Sequence, residues 1–258
     1  HGLKQRRLDF LKIRAGIFTN FSHDHLDYHK NMGDYLRSKL FLFNRNLKKG
    51  ATIITDSDIK QYKLLKNIKK KRDLKILTIG SKSSSFKILR HKIFKNFQVL
   101  EIKYKNSVYK LKINLFGSIQ VKNLLMSILA ANICGCKIKN ILNKIEKVKS
   151  VNGRLELIRT LPNKSKVFLD FAHTPDALKI AINSLREHFQ KKITVVFGCG
   201  GERDKKKRKK MGEIAKKYCD KIFVTDDNPR SEKPEKIRKE IMKGLKNSQA
   251  KEIGDRKK

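Results

Sequence analysis

The chain has 258 residues, of which 39% are hydrophobic, so it is long and apolar enough for two domains with buried cores. Its formal net charge is +39, from 63 lysines and arginines against 24 aspartates and glutamates, but the cations lie in almost every segment, and the densest run, Lys205–Lys210, has no aromatic residues interleaved with it. We therefore expect no specific nucleic-acid binding. No apolar run approaches the ~18 residues of a spanning helix, so we expect no membrane insertion.

Four cysteines lack the spacing of a metal knuckle, and a chain of this size does not need disulfides, so reduced thiols in a cytoplasmic protein are expected. They are Cys134, Cys136, Cys199 and Cys219. We also expect a monomer. The chain starts without methionine and stops on two lysines without a closing element, which predicts a fragment of a longer protein.

Apolar runs separated by polar loops predict alternating strands and helices in the first part of the chain. The predicted elements are strand 13–19, helix 33–43, strand 51–55, a lysine-rich helix, strand 74–79, antiparallel strands within 86–116, and helices 121–134 and 138–148. The pattern restarts near residue 150. We therefore predict two domains, 1–150 and 151–258.

The second part repeats one unit three times, a short apolar strand followed by a polar loop and a helix. The strands are 167–169, 193–197 and 221–225, and the helices are 177–189, 211–218 and one that starts at Ser231 as a hydroxyl cap with Pro234 in its first turn. Consecutive units of this kind favour right-handed crossovers and a parallel sheet whose loops open on one edge. Asp170, His173 and the loops 198–204 and 227–230 would then converge there.

Two basic features flank these loops. Arg230 ends the proline-containing segment Asp227-Asn228-Pro229-Arg230, where a guanidinium is a two-pronged receptor for a carboxylate or phosphate. A solvated arginine in a surface turn is the alternative. The run Lys205–Lys210 precedes a helix, and its six cations predict a solvated helix start.

The densest group of possible metal ligands is His23-Asp24-His25-Leu26-Asp27-Tyr28-His29, directly after strand 13–19. Imidazole and carboxylate together suit divalent cations. The group resembles the HxHxDH signature of metallo-β-lactamase-type hydrolases, but Tyr28 separates Asp27 from His29, which that signature keeps adjacent. For His23 and His29 the alternative is hydrogen bonding within a turn.

Six motifs together resemble those of the Mur ligase family, in family order and over essentially the whole chain. They are His1-Gly2-Leu3-Lys4-Gln5-Arg6-Arg7, Thr19–His29 with its Asp24-His25-Leu26-Asp27 centre, Asn152-Gly153-Arg154-Leu155-Glu156, Asp170–Leu178, Gly198-Cys199-Gly200-Gly201-Glu202-Arg203-Asp204, and Asp226-Asp227-Asn228-Pro229-Arg230. The resemblance implies an α/β protein, the remainder of a P-loop-type central ATPase domain followed by a Rossmann-like C-terminal domain with a mainly parallel sheet.

The resemblance also implies an activity. Mur ligases form an amide bond with ATP and Mg²⁺ through an acyl phosphate, a charged phosphoryl transfer that needs fixed positive charge. The implied substrates are UDP-N-acetylmuramoyl-L-alanyl-D-glutamate and meso-diaminopimelate in peptidoglycan synthesis. No G-x-x-x-x-G-K-[ST] phosphate loop occurs in these 258 residues, so the segment alone is not expected to catalyse the reaction.

Site roles carry over position by position. His25 and Lys39, the latter as a carbamate, match the catalytic positions that hold magnesium. Gln5 and Arg7 match contacts to the UDP-muramoyl substrate. The ATP positions are Asn123, Arg154, Asp170 and His173, and the amino-acid positions are Arg203, Asp227, Asn228, Pro229 and Arg230. The family usually has Phe-Asn just before the apolar helix 121–134, whereas this chain has Ile119-Gln120 there.

The family uses the arginine at the Arg230 position to grip the distal carboxylate of meso-diaminopimelate, which L-lysine lacks. With L-lysine bound, this guanidinium would face no anion, and the cost of leaving it unpaired discriminates strongly against L-lysine. The alternatives are a Mur ligase for a different amino acid, a metal-dependent hydrolase built on the His23–His29 cluster, and a basic nucleic-acid-binding module.

Overall fold

A computed structural model describes residues 2–22 and 28–256. The described chain divides into two compact units. The first holds residues 2–21 and 29–151, and the second holds residues 152–256 together with Ser22 and Tyr28.

The first unit is built on a six-stranded sheet in which spatial order follows sequence order. Its strands are β1 (Ile13–Phe18), β2 (Leu47–Asp56), β3 (Lys75–Gly80), β4 (Phe86–Ile93), β5 (Gln98–Tyr104) and β6 (Ser107–Ile113). β1 to β4 run parallel, β5 is antiparallel to β4 and β6 is antiparallel to β5, as expected for the alternating segment 86–116.

Helices cover both faces of this sheet. They are α1 (Met32–Phe41), followed by a π-helical turn (Leu42–Asn46), α2 (Tyr62–Arg72), α3 (Ser118–Ile133), α4 (Ile138–Leu142) and a 3₁₀ turn (Ile145–Lys147). Consecutive residues of β2 point to opposite faces, so Ile53 joins the core beneath α2, which includes Leu65, while Ile54 joins the core beneath α3, which includes Leu125. Because helices cover both faces, the second half of β2 is buried at consecutive residues instead of alternating between buried and exposed.

The second unit contains a parallel three-stranded sheet and a separate hairpin. The sheet has the order β11 (Ala250–Glu252), β10 (Lys221–Val224), β9 (Thr194–Phe197), and the hairpin joins β7 (Glu156–Thr160) to β8 (Lys166–Leu169). Its helices are α5 (Pro175–Phe189), α6 (Lys206–Tyr218) and α7 (Pro234–Met242). Met211, Ala215, Val224 and Ile241 lie at the centre of its core. The predicted α/β class is confirmed.

One strand of the second unit has a different partner from the predicted one. The segment 167–169 was expected to pair in the parallel sheet, but β8 pairs antiparallel with β7. The tight turn between them explains this pairing, since Leu161 donates its amide to Ser165 O and Asn163 Oδ1 accepts the Ser165 amide. The third strand of the parallel sheet is β11, which the sequence did not indicate.

Helix starts were predicted with mixed success. α5 was predicted over 177–189 and begins two residues earlier, because Thr174 Oγ1 caps it by accepting the Ala177 amide and Pro175 occupies the first turn. α7 does have Pro234 in its first turn, but Lys233 is the cap residue and Ser231 does not cap the helix; the Ser231 hydroxyl donates instead to the Glu202 carboxylate. In the part of the chain that the structure describes, no helix is both long and apolar enough to span a bilayer.

Candidate active site

The first candidate region lies at the carboxyl ends of β1 and β2. The two strands are joined there by Thr55, whose hydroxyl donates to Phe18 O at 2.9 Å. Lys39, in the last turn of α1, reaches the chain just beyond β1, and its Nζ donates to Asn20 O at 3.2 Å. The same ammonium lies 5.1 Å from the centre of the Tyr35 ring. The fold thus brings the predicted modified lysine to the edge where parallel sheets bind ligands.

The histidine cluster is covered only in part. His25, the predicted magnesium ligand, lies outside the described residues, as do His23, Asp24 and Asp27. His29 is buried, and its Nδ1 is 3.5 Å from Asp34 Oδ2. Burial lowers the pKa of His29 below its usual value. These contacts agree with a structural role for His29 within the turn.

Asp34 was not predicted, yet it organises the start of α1. Lys4 Nζ donates to its carboxylate at 2.6 Å, and the Lys30 amide donates at 3.3 Å. The hydrogen bond from Lys4 is the main reason why the pKa of Asp34 falls to about 2. Gln5 and Arg7 are exposed neighbours of Lys4, so both predicted muramoyl contacts lie on a segment that is tied to the helix carrying Lys39.

Asn123 lies near the same edge. It is half-buried in the second turn of α3, next to Lys122. Lys122 Nζ donates at 2.6 Å to Asp56, the buried last residue of β2. This ion pair holds the start of α3 against the carboxyl end of β2, and so keeps Asn123 close to the candidate region.

In the second unit, the structure brings Arg154, Asp170 and His173 together. The Asp170 carboxylate accepts the Leu155 amide and the Ala172 amide, both at 2.8 Å, so it joins two loops. The Arg154 guanidinium lies 5.5 Å from the centre of the Phe171 ring, and His173 Nδ1 is 3.0 Å from Phe171 O. The three predicted ATP positions therefore share one surface.

A glycine explains how these loops come so close. Gly153 has a φ of +67°, and a Cβ at this position would lie 2.3 Å from the Phe171 ring. A side chain at this position would be strained by the positive φ and would have to displace the Phe171 ring.

The loops after β9 and β10, which we call the glycine loop (198–204) and the acceptor loop (226–232), cross each other. The Gly201 amide donates to Asn228 O at 2.9 Å, and Arg230 Nη1 donates to Gly201 O at 2.5 Å. A Cβ on Gly201 would lie 1.8 Å from Pro229 O, so only glycine permits this crossing. The predicted amino-acid positions are thus held against one another.

The two loops also share an unusual backbone conformation. Glu202 and Arg230 both have φ near +50°, in the left-handed region that non-glycine residues seldom adopt. Each such residue costs roughly 1 kcal/mol, which surrounding contacts must offset. Arg203, Asp227, Asn228 and Arg230 are all exposed, so their polar groups are accessible to a ligand.

The basic run 205–210, which forms the start of α6, differs from its prediction. Arg208 is 0% exposed and Lys207 is 8% exposed, although all six cations were expected to be solvated. Arg208 lies three and seven residues before Met211 and Ala215, which places it on the buried face of α6. That spacing is the sequence signal by which it could have been found.

Metal binding can be judged only within the described residues. In the ranges 2–22 and 28–256, no group of three His, Cys, Asp or Glu side chains is placed to hold a metal ion. An unmodified Lys39 is a cation and repels a divalent cation, whereas a carbamate on Nζ would be an anion beside the carbonyl of Asn20. Lys39 itself would therefore hold magnesium only as a carbamate.

Comparisons with known families match both parts of the chain. The family described as Mur ligase middle domain matches residues 1–131, and the family described as Mur ligase, glutamate ligase domain, matches residues 153–258. The chain belongs to the Mur ligase family.

Relatives with curated names give a finer comparison. The UDP-N-acetylmuramoyl-L-alanyl-D-glutamate--2,6-diaminopimelate ligase of Rickettsia bellii is 40% identical over 259 residues, which cover 100% of this Mur ligase chain and 54% of the relative. The ligase of the same name from Zymomonas mobilis is 40% identical over 100% of the chain and 52% of the relative. The chain thus spans about half the length of the curated relatives it matches.

Solved structures agree with this assignment. A ligase structure of the same name superimposes with a TM-score of 0.63 at 29% identity, over 99% of this chain and 53% of that one. A folylpolyglutamate synthase from Mycobacterium tuberculosis superimposes with a TM-score of 0.77 at 20% identity, over 95% of this chain and 55% of that one, which shows a shared fold. The α/β Mur ligase fold of the chain is therefore supported by sequence and by structure.

Proposed function

We propose that this chain forms part of an ATP-dependent ligase that adds meso-diaminopimelate to UDP-N-acetylmuramoyl-L-alanyl-D-glutamate in peptidoglycan synthesis. The observation that supports this most directly is the crossing of the glycine loop and the acceptor loop, which holds Arg230 exposed at the carboxyl edge of β9 and β10. The names of the relatives with 38–40% identity agree with it.

In the proposed reaction, a carboxylate oxygen of the muramoyl dipeptide attacks the γ-phosphorus of ATP, and ADP leaves. The amine of diaminopimelate then attacks the acyl carbon, the C–O bond to phosphate breaks, and the amine loses a proton. Both steps place negative charge on oxygen atoms, so fixed cations and hydrogen-bond donors accelerate them. Magnesium would supply further charge stabilisation when bound, held by His25 and a carbamylated Lys39.

The remaining roles follow the family positions. Gln5 and Arg7 would contact the UDP-muramoyl substrate, with Lys4 anchoring their segment to α1. Asn123, Arg154, Asp170 and His173 would bind ATP. The proposal divides the chain into domains 1–150 and 151–258, close to the division between the two compact units, and it takes the protein to be a cytoplasmic monomer.

Arg230 would set the choice of amino acid, together with Arg203, Asp227, Asn228 and Pro229. One N–H of the Arg230 guanidinium donates to Gly201 O, and a guanidinium has four further N–H groups. A planar fork that is already oriented by one hydrogen bond is suited to bind a carboxylate with two others. Such an arrangement favours diaminopimelate over L-lysine.

The test uses the complete gene product that includes these 258 residues, supplied with ATP, Mg²⁺ and the muramoyl dipeptide. Phosphate release and product mass are measured with meso-diaminopimelate and with L-lysine. We expect a strong preference for diaminopimelate, and we expect Arg230→Ala to reduce that preference by on the order of a hundredfold.

Arg159→Ala is the matched control, because Arg159 is an exposed arginine on β7 in the same unit. It should leave the preference unchanged. Equal use of L-lysine by the unaltered protein would contradict the proposed specificity, and no ATP turnover with either amino acid would contradict the ligase assignment.

A further inference from the structure

Arg208 is the most deeply buried charged side chain among the described residues of the second unit, and it lies beside the two crossed loops. Its Nη1 donates to Glu232 and to Glu240, both at 2.9 Å. Its Nη2 donates to Glu232 at 2.8 Å and to Gly200 O at 3.3 Å. One guanidinium on α6 therefore binds the glycine loop, the acceptor loop and α7 at once.

Glu232 extends this network to the glycine loop. Besides the two-pronged contact with Arg208, its Oε1 accepts the Glu202 amide at 2.7 Å. Glu232 follows Arg230 by two residues in the acceptor loop, and Ser231 between them donates its hydroxyl to the Glu202 carboxylate. The side chain of Glu232 thus holds Glu202, one of the two left-handed residues, from across the loop crossing. The backbone amide of Glu232 donates to Pro229 O at 3.0 Å, next to the other left-handed residue, Arg230.

We propose that Arg208 and Glu232 are positioning residues of the acceptor site, which lock the two crossed loops so that the Arg230 guanidinium points toward the distal carboxylate of the incoming amino acid. This inference rests on the proposed function. Neither residue is required to touch a substrate. Each acts through the backbone geometry of residues 200–202 and 228–230.

The geometry favours positioning over simple stabilisation of the core. A buried ion pair is weak evidence for stability, because removing its charges from water offsets much of their attraction. Moreover, among the described residues the buried Nε of Arg208 has no hydrogen-bond partner, which is itself unfavourable. What the pair does achieve is a two-pronged fixed orientation at the crossing of two strained loops.

Glu240 provides a matched control inside the same cluster. It accepts from Arg208 Nη1 at the same 2.9 Å as Glu232 does, but it lies on α7 and belongs to neither loop. Glu232→Gln and Glu240→Gln therefore make the same isosteric change and remove one carboxylate each. Only Glu232→Gln should loosen the contact between the glycine loop and the acceptor loop.

The experiment compares these two variants in the complete gene product. For Glu232→Gln we expect KM for meso-diaminopimelate to rise and the preference over L-lysine to fall by on the order of tenfold to a hundredfold, because a displacement of about 1 Å at a binding group has effects of this size. KM for ATP and for the muramoyl dipeptide should stay constant. Glu240→Gln should lower the thermal midpoint without changing the preference.

Two further measurements separate position from folding. Hydrogen exchange should accelerate over residues 198–204 and 226–232 in Glu232→Gln and remain unchanged there in Glu240→Gln. Arg208→Lys keeps the charge but loses the fork, so it should weaken the preference although the protein remains folded. Equal changes in both glutamine variants, or none in either, would overturn the inference alone. An unaltered protein that does not select diaminopimelate would overturn the proposed function and, with it, this inference.

Discussion

The two units stabilise their candidate regions with opposite kinds of ionic cluster. In the first unit, one carboxylate, Asp34, collects cationic partners, with Lys4 at 2.6 Å and Arg37 at 3.9 Å, at a side-chain exposure of 16%. In the second unit, one guanidinium, Arg208, collects the carboxylates Glu232 and Glu240 at an exposure of 0%. The cation that lies nearest to Asp34, Lys4, is 33% exposed, whereas the guanidinium of Arg208 is fully buried between carboxylates that are themselves 13% and 24% exposed.

The difference matters because carboxylates are scarce in this chain, with 24 against 63 lysines and arginines. Sharing one Asp34 among several cations is the arrangement that such a composition favours. Placing two carboxylates on a single buried arginine is the opposite arrangement. The second unit has it at Arg208, where two strained loops cross, and again at Arg238, which contacts Asp226 and Glu252.

The largest effect is expected from removing the buried guanidinium of Arg208. Arg208→Met keeps the length and apolar stem of the side chain but leaves Glu232 and Glu240 without their shared partner. Breaking a buried ion pair from one side costs about 3–5 kcal/mol, so the second unit should unfold at much lower urea concentration. Urea titration, followed by hydrogen exchange in α6, measures this. A loss of stability that is confined to the first unit would contradict the role of Arg208 in stabilising the second unit.

A smaller effect is expected at the cluster around Asp34. Asp34→Asn removes the charge that binds Lys4, but the side chains involved are partly exposed, and water replaces the lost contact. The free energy of unfolding should decrease by much less than it does in Arg208→Met, and the decrease should be larger at low salt than at high salt. Hydrogen exchange at residues 2–11 should increase. Equal losses of stability in Asp34→Asn and Arg208→Met would show that the burial of the cation does not distinguish the two clusters.

The smallest and most gradual effect is expected from mild acid. The pKa of Glu232 is lowered from 4.5 to about 2, chiefly by its hydrogen bond from Arg208, and that of Asp34 is lowered from 3.8 to about 2. Carboxylates with depressed pKa values stabilise the folded state above their unfolded pKa, and this stabilisation is lost as pH falls toward the folded pKa. The Glu232 contribution should therefore begin to decline near pH 4.5, before that of Asp34.

Peptide-resolved hydrogen exchange between pH 5 and pH 4 measures this order. Rates must first be corrected for their intrinsic dependence on pH. The corrected protection of α6 should decrease earlier than that of α1, and Glu232→Gln should remove the early decrease. A decrease that begins in α1 would contradict the assignment.

The alternation of elements was predictable because it depends on local periodicity. β1, β3, α3 and α5 lie within a few residues of their predicted ranges, and the antiparallel strands within 86–116 are present. The loop crossing was predictable in part, since both loops follow strands of one parallel sheet and must open on one edge. Glycine at position 201 also fits that expectation.

What could not be predicted depends on contacts between residues far apart in the chain. β8 was assigned to the wrong partner, because a three-residue apolar run does not specify which strand it pairs with. The cations of 205–210 were all expected to be solvated, because charge alone does not show which side chain faces the core. The roles assigned to His25, Lys39 and the substrate positions stay predictions.

The sequence by itself determined the α/β class, the positions of the polar loops and the motifs of the Mur ligase family, because each depends on residues near one another in the chain. Only the tertiary structure decided that Arg208 is buried between Glu232 and Glu240, which are 24 and 32 residues away, and that Lys4 binds Asp34 across 30 residues. The reason is physical. The protonation and orientation of a charged group depend on how much water surrounds it and on which opposite charge packs against it, and both arise only when distant segments come together.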